Sequence, residues 1–467
     1  MKALSISDLL FLFLEKPKQP MHFSGLCVFE LPPDTDSKQF LDNFVKYTVT
    51  PNASPSFPFN QTLNRWVWRQ DKTFDIREHF FHVHLSNVSG KFDNNIHELF
   101  DHISTKHSEL MDKTKPLWEF HLIDGIKPAT DGGSPRFAIW IKIHHSLADG
   151  VAVMRLLRLS LSKFADVTAT LPFWSLPQKH RHHLDDQLDE LIRSKHSKKE
   201  LIKQQLATVK PVARELWQGL KDNLNAKSPF VSTFDAPKSI LNQPITHHRY
   251  LSACAFDKSR FASLAKHFDI STNDMVLTVC AGALRSYLLE ENALPDKPLI
   301  ALVPISLRRD DSISGNQISF LLVNLGTHLS DPMARLQTVK DSIDDGKARF
   351  GRMTQAQIIN YSLCAYGWAG VNLATGLAPH YQAFNLIISS VPADNSPLYL
   401  NGARLTGIYP ASVLFDGQAM NITLTNHQDK IDFGITACDS ALPKIGGFLG
   451  LLEHELTVFE GLVKNEV

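Results

Sequence analysis

Residues 137–150, Phe-Ala-Ile-Trp-Ile-Lys-Ile-His-His-Ser-Leu-Ala-Asp-Gly, leave this chain fewer structural choices than any other stretch. Phe137, Ile139, Ile141 and Ile143 alternate with Ala138, Trp140 and Lys142, the period of a β-strand with one strongly apolar face. One further step of that parity puts His145 on the Phe137–Ile143 face and His144 on the other. The strand then breaks at Ser146, Asp149-Gly150 makes a turn, and the apolar run that follows to Leu161 is helix-like. Two histidines at the mouth of a buried strand, with an Asp and a Gly where the backbone bends, read in two ways. They form either a strand-to-helix turn with a capping Asp and incidental histidines, or a catalytic constellation.

Composition narrows the function classes. Lys plus Arg and Asp plus Glu both number 48, so net charge gives no footprint for nucleic acid and no such partner is expected. The 467 residues, 43% of them hydrophobic, suffice for two or three domains with buried cores. Cys27, Cys254, Cys280, Cys364 and Cys438 are odd in number, far apart and without zinc spacing, which fits a reducing cytosol. The apolar run Leu9-Leu-Phe-Leu-Phe-Leu14 lies between Asp8 and Glu15, lacks a cleavage site, and falls well short of the ~20 residues a membrane span needs. It reads as a buried first helix.

Three regions differ in kind. Residues 1–165 read as mixed α/β. Ser7-Asp8 is the expected cap of the first helix, 22–31 a strand, 37–47 and 94–110 helices, and 118–123 a strand paired with 137–143. Residues 166–240 are charged and rich in Lys and His, with Leu184, Leu188, Leu191 and Ile192 as a narrow apolar stripe. They read as an amphipathic helical crossover, either a solvated linker or a basic helix lying on an anionic lipid surface. Residues 241–467 return to α/β, with a helix headed by Ser271-Thr-Asn-Asp274, strands near 250–256, 299–304, 318–326 and 384–391, a hairpin around Asp429-Lys430, and a final helix over 448–463. Between Met353 and Ala393 no Asp, Glu, Lys or Arg occurs. That stretch reads as a helix packed inside the protein, a wall of a long apolar tunnel, or a surface dipping into lipid.

The chain has no Gly-x-Ser-x-Gly elbow, phosphate-cradling glycine loop or dinucleotide Gly-x-Gly-x-x-Gly. His97-Glu98…His102 spaces its histidines about 140° apart on a helix, too far around for one metal ion. The pairs around His79, His82, His84, His182, His183, His247 and His248 lack carboxylates at ligand spacing. No metal or cofactor is expected. The remaining chemistry is His145 as a general base, a ring that titrates near neutrality and can take a proton from an attacking alcohol or thiol. Asp149 is suited to holding the turn, and Gly150 to close approach of the backbone. No paired nucleophile is visible, so direct attack on an activated acyl donor is expected.

The segment His144-His-Ser-Leu-Ala-Asp-Gly150 resembles the HHxxxDG signature of the bacterial wax ester synthase/diacylglycerol acyltransferase family, within the CoA-dependent acyltransferases. Pro116-Leu-Trp118, Asn273-Asp-Met-Val-Leu277, Cys280-Ala-Gly-Ala-Leu-Arg285, Pro304-Ile-Ser-Leu-Arg308 and Tyr409-Pro-Ala-Ser…Asp416-Gly-Gln-Ala-Met-Asn-Ile422 resemble its other signatures in order, as does Glu15-Lys…Pro20-Met-His22. One segment departs: Ser390-Val-Pro-Ala-Asp-Asn395 stands where relatives carry Asn-Val-Pro-Gly-Pro.

The resemblance implies an α/β fold of two chloramphenicol-acetyltransferase-like domains joined by a helical crossover, with the active site in a channel between them. It implies transfer of a fatty acyl group from acyl-CoA to a long-chain alcohol, giving a wax ester, or to diacylglycerol, giving triacylglycerol. Carried over by residue, His145 is the base, with His144 and Asp149 in support, and Pro116, Leu117 and Trp118 shape the channel. Asn273 either orients the site or steadies the tetrahedral oxyanion, or else caps a helix, with Asp274 as a cap or ion-pair residue. Arg308 either meets CoA phosphates or forms an ion pair. Gly367 and Gly370 are candidates for leaving room for a chain. The implied partners are acyl-CoA, the acceptor lipid, and the surface of the inner membrane or of lipid inclusions, contacted peripherally from the cytoplasm.

Overall fold

The computed structural model describes residues 2–50, 54–85, 96–130, 132–176, 208–215, 217–219, 221, 228–306, 318–354, 357–358, 360–362, 364–367, 372, 382–393 and 395–465. The first part runs β1 (Lys2–Ala3), α1 (Ile6–Leu14), β2 (His22–Glu30), α2 (Ser37–Thr48), β3 (Gln61–Asn64), β4 (Val67–Gln70), β5 (Phe80–His84), α3 (Ile96–Ser108), β6 (Trp118–Ile126), β7 (Arg136–His144) and α4 (Gly150–Leu159). The second runs β8 (Tyr250–Asp257), α5 (Lys258–His267), α6 (Thr272–Glu290), β9 (Ile300–Ser306), β10 (Ile318–Asn324), α7 (Pro332–Gly351), β11 (Leu386–Pro392), β12 (Tyr399–Leu400), β13 (Ala403–Ala411), β14 (Met420–His427), β15 (Lys430–Ala437) and α8 (Phe448–Asn465). Two six-stranded sheets result, ordered β12-β13-β2-β7-β6-β5 and β10-β9-β11-β14-β15-β8, beside a small sheet β1-β4-β3.

β7 is central to the first sheet and buried on both faces. Phe137, Ile139, Ile141 and Ile143 join a core with Phe29, Trp118, Phe120, Leu41 and Phe44. Ala138 and Trp140 face the other way and pack with Leu26, Val28, Ile123 and the α3 residues Leu99 and Ile103. Strand alternation therefore separates two cores here, not core from solvent. Lys142, on the second face, is fully buried. Its ammonium donates to the carbonyls of Lys106 and Glu109, both at 2.8 Å, where it satisfies acceptors left open at the end of α3.

Capping chemistry sets the helix starts. The cap of α1 is Ser5, not Ser7: the Ser5 hydroxyl accepts from Asp8 N–H, and Asp8 accepts from Ser5 N–H. The same reciprocal pair, Ser271 and Asp274, starts α6. Helix α6 is buried along most of its length, and it meets α8 closely at Gly282, where a Cβ would stand 2.0 Å from the Glu455 carboxyl carbon. Glu455 is paired in turn with the buried Arg335 of α7.

The two sheets interlock by exchange. Residues 399–411 follow β11 of the second sheet but enter the first, where β13 pairs antiparallel with β2 through partners such as Ile408 and Cys27. Its backbone also rests on β15. Ile408 N–H donates to the buried Asp432 carboxylate at 2.7 Å, and Ser412 N–H to the Thr436 hydroxyl at 3.0 Å. In return β8 receives α3: Leu251 and Arg249 N–H donate to the Ser104 and Ser108 hydroxyls, each at 2.9 Å. Of the crossover, Phe173 and Trp174 are buried in the first core. Val212 joins the second core, and Glu215 pairs with Arg349 and Arg352. The amphipathic stripe at 184–192 lies outside the described residues.

Candidate active site

β2 and β7 end side by side, with His22 opposite His144. At that point His144 N–H donates to Leu117 O (3.1 Å), His145 N–H to Met21 O (2.9 Å) and Leu147 N–H to His144 O (2.9 Å). These bonds tie the histidine turn to both flanking strands, so Leu117 fixes the turn through its backbone. Trp118 works by packing. Its indole, fully buried, donates to Phe59 O at 2.8 Å and stacks on Phe74, His79 and Trp174.

The His145 ring lies between two aromatic rings. Phe11 of α1 stacks on it at 4.6 Å and 14°, and Phe23 of β2 tilts against it at 4.7 Å. Neither ring nitrogen of His145 is hydrogen-bonded to a described residue. Burial, and then the neighbouring His144, push its pKa down to about 3, so the ring is neutral throughout the physiological range.

His144 is fully buried and is oriented by hydrogen bonds at Nδ1. Ser146 N–H donates to its Nδ1 at 3.1 Å, with the Ser146 hydroxyl 2.7 Å away. Nδ1 must therefore accept, which in the neutral ring leaves the proton on Nε2, facing the Glu15 carboxylate at 3.3 Å. Glu15 is nearly sealed from water, its side chain 2% exposed, and its second oxygen meets Lys113 at 2.6 Å. Burial alone would raise its pKa, but His144 and Lys113 together hold it down to about 2.

Asp149 caps α4, accepting from Ala152 N–H at 2.7 Å. Gly150 opens that helix, and a Cβ there would meet no described atom within 4 Å. Close approach of the described protein atoms therefore does not explain the glycine. Asn273 does not cap α6, because Ser271 does; it stands exposed on the first turn. No hydrogen bond or ring contact joins it to the histidine turn among the described residues. A Cβ on Gly367 would meet no described atom within 4 Å, while Arg308, Gly370 and Asp394 of the departing 390–395 loop lie outside the described residues.

Three contributors escaped the sequence reading: Glu15, Phe11 and Phe23. Glu15 stood in a recognised N-terminal segment, but its role depends on a histidine far along the chain. Of the other histidines, His82 and His84 pair with Asp124 and His121 with Glu119. His22 and His107 are buried together, both held well below their ordinary pKa by burial and then Lys142. Among the described residues no cluster of His, Cys, Asp or Glu could hold a metal ion. His182 and His183 lie outside them.

Comparison with known proteins places this geometry in a family context. A model of the wax ester synthase/diacylglycerol acyltransferase catalytic domain matches residues 4–276, and one of the WS/DGAT C-terminal domain matches 314–460. The chain is 43% identical over 466 residues to the O-acyltransferase WSD of Acinetobacter baylyi, spanning 100% of this chain and 98% of that protein. It is 33% identical to the solved wax ester synthase/diacylglycerol acyltransferase of Marinobacter aquaeolei VT8, with a TM-score of 0.78 over 98% and 99% of the two chains. The starter condensation domain of rhizomide synthetase RzmA, at 11% identity and TM-score 0.57 over 99% and 94% of the chains, shares the fold alone. The mixed α/β two-domain architecture is thus the chloramphenicol-acetyltransferase-like one that the resemblance implied.

Proposed function

The chain belongs to the wax ester synthase/diacylglycerol acyltransferase family and is an O-acyltransferase; on that premise we propose that it transfers a fatty acyl group from acyl-CoA to a long-chain alcohol or to diacylglycerol. The observation that carries the mechanism is the His145 ring, neutral, free at both nitrogens among the described residues, and held between Phe11 and Phe23. A ring already engaged by a carboxylate could not accept a substrate proton without first giving up that bond.

With both substrates bound, a ring nitrogen of His145 takes the acceptor hydroxyl proton as the oxygen attacks the thioester carbonyl. The tetrahedral intermediate collapses, the C–S bond breaks, and the thiolate takes the proton from the imidazolium to leave as CoA thiol. An imidazole with so low a pKa resists charging in the free enzyme. The negative charge growing on the carbonyl oxygen offsets that cost, so proton transfer is coupled to attack and a ternary complex is required. Water left near the ring would compete as acceptor, and the aromatic faces of Phe11 and Phe23 limit its access.

His144 and Asp149 act through position, the first held by Glu15 and Ser146, the second by capping α4. Pro116, Leu117 and Trp118 brace the turn from β6, and the open space over Gly150 is available to substrate. Asn273 is assigned to substrate orientation and Arg308 to CoA phosphates. Gly367 and Gly370 are assigned to chain accommodation, in keeping with the charge-free composition around them. The proposed setting is the surface of the inner membrane or of lipid inclusions, where both acceptors reside; among the described residues no helix is long and apolar enough to cross a membrane.

The test follows CoA thiol and ester product from palmitoyl-CoA with hexadecanol, and separately with diacylglycerol, for wild type and His145→Ala. Acceptor-dependent thiol release with matching ester, reduced roughly 10²–10⁴-fold in a folded His145→Ala protein, is the expected result. Thiol release without ester would refute the acceptor assignment, and unchanged rates in the variant would refute the base.

A further inference from the structure

The helix that covers His145 has an outward side that the reaction does not use. Phe11 of α1 stacks on the catalytic ring, Leu14 packs with Met21, and Asp8 receives a hydrogen bond from the Trp68 indole of β4 at 3.1 Å. One helical turn apart on the outer side, Leu10 and Phe13 are 48% and 73% exposed. Helix α1 rests on the β3–β4 hairpin, and Leu4 N–H, just ahead of the helix, donates to Trp66 O at 3.2 Å. Trp66, at the hairpin tip, is itself 73% exposed. Three large apolar side chains therefore face water on one short helix and the hairpin bound to it.

Charge is sorted across the same elements. Residues 3–19 and 61–70 contain two carboxylates, Asp8 and Glu15, and both are turned inward, Asp8 at 7% exposure and the Glu15 side chain at 2%. The cations Lys16, Arg65 and Arg69 are exposed. An outward surface with apolar anchors, an aromatic at its tip and exposed basic charge on these two segments matches an anionic lipid interface.

We propose that the outer side of α1 and the β3–β4 tip dock this protein on an anionic phospholipid surface. Leu10, Phe13 and Trp66 enter the headgroup–acyl boundary, and Lys16, Arg65 and Arg69 meet lipid phosphates. Because the inner side of the same helix lies on His145, docking sets the catalytic base one helix thickness from the lipid. The inference deepens the proposed function and rests on it only for the reason the base should lie there; vesicle binding is read independently of catalysis.

Full-length protein is floated with vesicles of 7:3 phosphatidylcholine and phosphatidylglycerol, and with phosphatidylcholine alone. Wild type is compared with Leu10→Ser/Phe13→Ser/Trp66→Ser and with Lys16→Gln/Arg65→Gln/Arg69→Gln. The apolar triple variant is expected to bind mixed vesicles at least about tenfold more weakly. It should keep its melting temperature and its rate with a water-soluble pair such as octanoyl-CoA and hexanol, and lose rate on hexadecanol embedded in vesicles. The charge variant should lose roughly fivefold per cation on mixed vesicles and nothing on neutral ones. Undiminished binding by the apolar variant, or no binding by wild type, overturns the proposal. So does a lipid-free wild-type dimer that the apolar variant converts to monomer, since a second copy would then be the occupant. Vesicle binding as expected, with no acyl transfer to any acceptor, would sink the functional reading and leave the docking surface standing.

Discussion

Replacing Glu15 with Gln removes one charge and almost no volume, and the structure sets what should follow. The carboxylate lies 3.3 Å from His144 Nε2 and 2.6 Å from Lys113 Nζ. Its pKa is depressed from 4.5 to about 2, which corresponds to roughly 3 kcal/mol of stabilisation; screening of the half-exposed Lys113 trims this to about 2–3 kcal/mol. A depressed carboxylate contributes fully above its unfolded pKa and loses that contribution as pH falls toward its folded one. The wild-type advantage over Glu15→Gln should therefore be flat from pH 8 to about 5.5, decline below 4.5, and stand near half its full value by pH 3. The depressed histidines His145 and His107 destabilise both proteins alike as pH falls and cancel in the difference. Thermal or denaturant melts of the two proteins across that range make the measurement. On the proposed mechanism Glu15 acts through His144, so kcat should fall roughly tenfold or more while KM for acyl-CoA holds. A stability difference that stays constant from pH 7 to pH 3 would refute the ion-pair reasoning, and a change confined to KM would refute the positioning role.

Other substitutions test neighbouring parts of the argument. Trp118→Ala should cost about 3–5 kcal/mol, because it empties a buried aromatic cluster and removes the indole bond to Phe59 O, and a melting curve decides it. Asp149→Ala should cost about 1 kcal/mol and Asp149→Asn much less, since either oxygen can cap α4; equal losses would argue that the charge matters more than the cap. Gly367→Leu and Gly370→Leu should shift the preferred acyl or alcohol chain length at unchanged fold, read from product profiles with mixed-chain substrates.

Local chemistry in this chain was readable in advance wherever the partner lay nearby. The β14–β15 hairpin, the antiparallel pair β6–β7 and the capped start of α6 all follow from short-range pattern. β13 does not. Its segment carries Thr406-Gly407 and Pro410, its pairing with β2 shifts register between Leu405 and Gly407, and its partner lies near the other end of the chain. A proline and a bulge weaken the alternation signal, and no local rule selects a strand so distant. Lys142 misled for a related reason. Alternation marks which residues share a face, yet only the packing of α3 against the sheet turns the second face into another core.

The site divides along the same line. His144, His145 and Asp149 announce themselves because a strand end, a turn and a cap are encoded within a few residues. Phe11 and Glu15 sit in or beside an unbroken apolar run, where no period distinguishes a side chain that touches the base from one that faces water. Only the packed helix separates them: Phe11 inward on His145, Phe13 outward, and Glu15 sealed beneath His144. That partition also fixes the surroundings in which the proposed base meets its substrates. A water-filled cleft would leave His145 near its ordinary value, partly protonated and hydrogen-bonded to solvent. Beneath α1 it is neutral, with neither nitrogen hydrogen-bonded to a described residue, which is the state the proposed proton transfer from an acceptor hydroxyl requires.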